Sequence, residues 1–184
     1  MEKVKFTQMK DGTKEEYLLL DKHEKKYING TADRLLKFMG GLKNTLEGYQ
    51  ITRLEHSLQT ATRALNEKVS DEMIVACLLH DIGDELAFHN HSEFAAAVLK
   101  PYVTEKTHWI VEKHGIFQLY YYAHHLGYNK EERESYKAHK YYKDTIDFCE
   151  NWDQKSFNPS FKSLTLKDFE PYVKKIFNRT PYTQ

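Results

Sequence analysis

The run Met73-Ile-Val-Ala-Cys-Leu-Leu79 ends in the adjacent pair His80-Asp81, and Ile82-Gly83 follows at once. An apolar stretch of this kind reads as a buried helix, so the pair arrives at the end of a core element. A buried carboxylate without a partner is costly and normally pairs or coordinates a metal. The rest of the chain must therefore fold so as to bring partners to Asp81. Four candidates flank it: His56 upstream, and His91, His114 and Asp153 downstream. Four imidazoles and two carboxylates suit iron, manganese or zinc, and are enough for two ions sharing one bridging carboxylate.

Helical periodicity dominates the chain, strand-like alternation is hard to find, and the four Pro residues lie at 101, 159, 171 and 181. The expected fold is all-α, a single domain over residues 1–184. Helices are expected over Lys14–Ile28, Ala32–Met39, Ile51–Lys68, about Ser70 to Asp81, Ser92–Lys100 and Thr104–Lys113. Others fit Ile116–Leu126, Lys130–Tyr141, Lys143–Trp152 and Leu166–Phe177. Ser70 is placed to cap a helix beginning Asp71-Glu72, with acidic residues favoured in the first turn. Gly83 allows that helix to stop. In the long helix, Ile51, Leu54, Leu58, Ala61 and Leu65 make one apolar stripe. Thr52, His56, Gln59 and Arg63 make a polar stripe nearly opposite. Taken alone the polar stripe reads as a solvated face; the His80-Asp81 pair favours instead a helix buried on both sides, one facing the core and one a polar cavity.

With 27 basic and 27 acidic residues the net charge is zero, which disfavours a general nucleic-acid or anionic-membrane binder. Cys77 and Cys149 sit in apolar helical contexts and read as buried free thiols, which fits a reducing cytoplasm. The N-terminal stretch lacks the apolar core of a signal peptide, and no apolar stretch approaches the roughly 20 residues of a membrane span.

The ordered set His56, His80-Asp81 and Asp153, in the strings Leu54-Glu-His-Ser-Leu-Gln-Thr-Ala61, Leu78-Leu-His-Asp-Ile-Gly83 and Trp152-Asp153, resembles the HD superfamily of metal-dependent enzymes. The resemblance spans about residues 49–160, the expected metal-binding core. With His91 and His114 added, the layout is similar to the mixed-valent diiron oxygenase branch, which includes myo-inositol oxygenase and phosphonate-cleaving enzymes. That resemblance implies that His56, His80, Asp81 and Asp153 hold one ion. Asp81, also the expected catalytic residue, would bridge, and His91 and His114 would hold the other ion. His89, His108, His124 and His125 compete for the second ion. His91 is preferred because it opens a helix beside the pair, and His114 because its helix is expected to end there.

Two iron ions as an Fe(II)/Fe(III) pair are thus the expected cofactor, with manganese or other divalent ions as alternatives. The expected partners are a small polar metabolite and O2. Candidate substrate contacts are Tyr49, Arg53, Asp84, Gln118, Tyr121, His124 and Lys155, with Arg63 as a further cation. Phosphonate-cleaving relatives carry a His and a Lys where this chain has Asp84 and Gln118, and Asp84 is expected to repel a phosphonate dianion. Leu46 and Tyr49 stand where those relatives set a Tyr and a Glu. The alternative activity is HD-type phosphohydrolysis of a phosphomonoester or nucleotide, since some of those enzymes also carry two metals. A non-catalytic metal-binding or sensing domain fits less well, because six ordered ligands exceed what a structural site needs.

Overall fold

A computed structural model describes residues 2–44 and 46–182. It is all-α, with no strand among the described residues. Helix α1 spans Lys14–Ile28, α2 Thr31–Gly41, α3 Arg53–Asn66 and α4 Asp71–Leu79. Then come α5 at His91–Leu99, α6 at Glu105–Gln118, α7 at Tyr142–Phe148 and α8 at Leu166–Phe177. No helix among the described residues is long and apolar enough to cross a membrane.

The centre of the molecule is α4. Every residue from Met73 to Leu79 is buried, so this helix is enclosed on all sides. Helix α3 packs along one flank, α6 crosses another, and α8 and α2 close the side away from the polar cavity. Phe169, Val173, Ile176 and Phe177 of α8 join Met39 and Leu42 in the same apolar core as the α4 run. Burying a large aliphatic or aromatic side chain is worth about 1.5–3 kcal/mol, so this core is the main source of stability.

Helix starts follow the local chemistry. Thr52 and Glu55 form a reciprocal capping box at the start of α3, and the Ser70 hydroxyl accepts from the Met73 amide at the start of α4. The expected long helix therefore begins two residues later than Ile51, and it ends at Asn66 before Lys68 turns left-handed (φ 57°). Helix α3 is buried on both stripes, with Leu58 and Ala61 on one and Arg53, His56 and Gln59 on the other.

Two glycines act through close approach. Gly83 was expected to provide a helix stop, but it has no left-handed φ. A Cβ there would lie 2.7 Å from the backbone of His91, so Gly83 lets the turn after α4 touch the start of α5. The helix expected to stop at Lys113 instead runs through Gly115 to Gln118. A Cβ on Gly115 would lie 2.6 Å from Ser92 Oγ, so this glycine sets the α5–α6 contact. His114 is thus inside α6 rather than at its end.

The expected helix over Ile116–Leu126 breaks after Gln118 into 3-10 turns at Leu119–Tyr121 and Ala123–Leu126. The segment expected to be a helix over Lys130–Tyr141 is a 3-10 run over Lys130–Tyr136 followed by turns. The expected Lys143–Trp152 helix is α7 followed by a π-helical turn, Cys149–Asp153. The Gln154 amide bonds back to the Cys149 carbonyl at 3.0 Å across that turn. Its extra residue changes which positions face inward, and Cys149, Trp152 and Asp153 are all buried.

Candidate metal centre

The side chains of His56, His80, Asp81, His91, His114 and Asp153 converge on one point. His56 comes from α3, His80 and Asp81 from the end of α4, His91 from the start of α5, and His114 from α6. The π turn contributes Asp153. Three overlapping groups of close donor atoms result: His56, His80 and Asp81; His80, His114 and Asp153; and Asp81, His91 and His114.

Backbone carbonyls fix three of the imidazoles. Nδ1 of His56 donates to the Ser156 carbonyl at 2.9 Å, that of His80 to Cys77 at 2.8 Å, and that of His114 to Val111 at 2.6 Å. A carbonyl can only accept, so the proton is on Nδ1 in each ring and Nε2 is the free ligand atom. Rings pack on both sides. His56 stacks on Phe157 with centroids 4.3 Å apart, and His80 meets the edge of Phe148 at 5.7 Å. The result is an enforced meeting of lone pairs: His56 Nε2 lies 3.1 Å from His80 Nε2. Two neutral imidazoles cannot share that space without a cation between them, whether proton or metal.

The carboxylates complete the pattern. Asp81 Oδ2 lies 3.2 Å from His56 Nε2 and 3.3 Å from His80 Nε2. Its other oxygen, Oδ1, lies 3.2 Å from His114 Nε2 and 3.5 Å from His91 Nε2. Asp153 Oδ1 lies 3.3 Å from His56 Nε2 and accepts from Gln118 Nε2 at 3.2 Å, while its Oδ2 is buried with no partner. An orphaned buried carboxylate oxygen beside converging imidazole nitrogens is the chemistry of a metal site, and the donor set fits iron, manganese or zinc.

Without metal, protons do the work of the cation. Burial disfavours the His56 imidazolium, but bonds to Asp153 and Asp81 outweigh it and carry its pKa up to about 9. His114 is also raised, against its burial, by Asp81. Burial pushes the Asp81 carboxyl up, but the surrounding imidazoles and Arg53 hold it well below the usual carboxylate range. His91 is the exception: less enclosed and farther from Asp81, it is lowered by burial.

A cavity of about 700 Å³ opens over the centre. Besides the centre itself it is lined by Tyr49, Arg53, Gln118, Leu119, Tyr122 and Phe157, with Phe88 and His89 at its edge. Of the candidate substrate contacts, Arg53, Gln118 and Tyr49 line this cavity. Arg53 is buried, and its guanidinium bridges Asp81 Oδ2 and Asp84, its Nε lying 2.6 Å from Asp84 Oδ2. Asp84 is therefore paired with a buried cation.

Five other candidates, Asp84 among them, do not line the cavity. Tyr121 is half-buried against the core, where burial pushes its hydroxyl up to about 12, because the 3-10 turn after Gln118 directs Tyr122 to the cavity instead. His124 is exposed and stacks on His125. Lys155 is exposed, and its carbonyl accepts from Arg63, whose guanidinium lies over the Phe161 ring. Sequence reasoning missed Phe157, Tyr122 and the Ser156 carbonyl. Phe157 carried a signal, being an aromatic four residues past Asp153; the carbonyl carried none.

Comparison with known families gives one match. The family model described as HD domain covers residues 53–146, just over half the chain, from Arg53 through His114 and short of Asp153. No curated protein matches the chain.

Proposed function

Because this chain belongs to the HD domain family, whose members are typically metal-dependent enzymes and above all hydrolases, we propose that it works through two metal ions, as a non-haem diiron oxygenase. Its substrate is a small polar metabolite that it cleaves oxidatively. The observation that carries the reading is the division of Asp81, whose two oxygens face different imidazole pairs. One carboxylate serving two donor groups is the arrangement of a bridging ligand. His56, His80 and Asp153 would complete one ion's set, and His91 and His114 the other's.

Iron bound there would supply dioxygen binding and one-electron redox chemistry, which no side chain of the cavity offers. The chain's own residues do the rest. Backbone-anchored imidazoles keep Nε2 free and aimed without rotamer loss. Gln118 donates to Asp153 and so orients its carboxylate. Leu119, Phe157 and the Tyr49 and Tyr122 rings wall the cavity with apolar surface, which limits water around a reactive centre. Oxygenation is favoured over phosphate hydrolysis by two features. Imidazole outnumbers carboxylate, which suits iron. The one Arg or Lys lining the cavity, Arg53, has its charge matched by Asp81 and Asp84, so among the described residues no Arg or Lys there offers a phosphate dianion a net positive charge.

The test is EPR of iron-loaded protein after partial reduction, with oxygen uptake measured alongside. A signal from a coupled Fe(II)/Fe(III) pair, and oxygen consumed on turnover, are expected. Anaerobic phosphate release from phosphomonoesters or nucleotides, supported by a redox-inert ion and lost in Asp81→Ala, would replace this reading with phosphohydrolysis.

A further inference from the structure

Among the described residues, Arg53 is the one Arg or Lys lining the cavity. It is 8% exposed, and burying a guanidinium requires strong compensation. Nε and Nη2 are used: Nε donates to Asp84 Oδ2 at 2.6 Å, and Nη2 contacts both Asp84 Oδ2 and Asp81 Oδ2. Nη1 has no hydrogen-bond partner among the described residues and is not among the sealed, unsatisfied buried atoms. It remains a charged donor on the wall of the cavity that Arg53 lines.

The charges around it set what it can hold. Asp81 belongs to the metal donors, so its negative charge is met by the ions once they bind. That leaves Arg53 and Asp84 as a net-neutral pair whose guanidinium still donates a charge-assisted bond. The Tyr49 ring, 5.6 Å from the guanidinium carbon, covers the pair on the outer side. Such a donor binds an oxygen of a monoanion well. A dianion at the same place would bring its second charge against Asp84, which no further Arg or Lys lining the cavity offsets among the described residues.

We propose that Arg53, held in place by Asp84, anchors the carboxylate of a small carboxylic acid substrate beside the metal centre and disfavours phosphate-type dianions. This rests on the dinuclear reading above and names the substrate class for it. A 2-hydroxy acid suits the cavity best, because its hydroxyl can face the metal donors while its carboxylate meets Nη1.

The test uses the full-length metal-loaded protein, with glycolate and inorganic phosphate as calorimetric probes and metal content measured on the same samples. Wild-type protein should bind glycolate at least tenfold more tightly than phosphate. Asp84→Asn keeps Arg53 and its contact with Asp81 but removes the offsetting charge, so phosphate affinity should rise about tenfold or more and the preference should narrow or invert. The double variant Arg53→Gln/Asp84→Asn, which buries no unpaired charge, should retain metal and lose glycolate binding at least tenfold. Phosphate bound more tightly than glycolate by wild type, or glycolate binding unchanged in the double variant, would overturn the proposal. So would phosphate affinity indifferent to Asp84→Asn. Wild-type protein that takes up no more than one metal ion would instead count against the dinuclear reading, so the two failures are told apart by metal content.

Discussion

Helix α4 ends in two different ways. At its N-terminus the polar side chains of the helix are met within the protein. Ser70 caps the Met73 amide, Glu72 accepts from Thr104 and Arg179, and Asp71 pairs with Lys175 of α8. At its C-terminus the same helix delivers His80 and Asp81 into a cluster whose lone pairs face one another, with Asp153 Oδ2 unmatched. One end is complete as folded; the other is complete only with a cation. The difference separates side chains that hold the fold from side chains that the fold holds for chemistry.

The largest break in this contrast is Asp81→Ala. It removes the carboxylate shared by both donor groups and leaves Arg53 with only Asp84 in a buried place. Elemental analysis should find both ions lost. Denaturant titration should show a loss on the order of 3–5 kcal/mol, the usual cost of removing one partner of a buried charge cluster. Retention of either ion at full occupancy would contradict the shared-carboxylate geometry.

His114→Ala is expected to do less. His114 Nε2 faces Asp81 Oδ1, the oxygen turned away from His56 and His80. One ion should be lost and one retained. Equal loss of both ions would mean that the two groups form one site rather than two.

Ser70→Ala sharpens the contrast from the other end. It removes an N-cap and should cost about 1 kcal/mol in a melt. Metal stoichiometry should not change, since the cap and the ligands lie at opposite ends of the helix. A shift in metal content would show that the ends are coupled.

How far these two ends could be read in the sequence differs for a physical reason. Ser70-Asp71-Glu72 is a local signal, and the cap forms where the residues say. His56 and the His80-Asp81 pair were legible because helical spacing puts them on faces of regular elements. The geometry around Asp153 depends on the π turn at Cys149–Asp153, which no short-range pattern announces. Gly115 is a contact that spacing does not announce, because its neighbour across space is Ser92 rather than anything nearby in sequence. Tyr121 and Tyr122 are equally aromatic, and only the change from α-helix to 3-10 turn after Gln118 decides which of them reaches the cavity. Lys155 follows Asp153 closely but has left the helical turn and faces solvent.

The smallest expected effect is a pH response in which Glu72 at one end of α4 and His56 at the other act with opposite sign. Burial works against Glu72 ionising, but bonds from Thr107, Thr104 and Arg179 outweigh it and hold its pKa below the ordinary 4.5. A group lowered on folding stabilises the protein above its unfolded pKa, so this contribution is full above about 4.5 and fades as pH falls further. His56 is the opposite case in metal-free protein, raised from 6.5 to about 9. Its contribution is full below about 6.5 and is lost as pH rises through 9. Melting temperature of the metal-free protein should therefore be highest between about pH 5 and 6.5, with an alkaline decline and an acid limb to which Asp81 also contributes, its carboxyl being held well below the usual range. Glu72→Gln should flatten part of the acid limb alone. Metal loading should remove the alkaline decline, because the ion replaces the protons on the imidazoles and binds more tightly as those protons leave. An alkaline decline that persists unchanged in metal-loaded protein would place its origin outside the His56 cluster, and the C-terminal end of α4 would then need no cation to be complete.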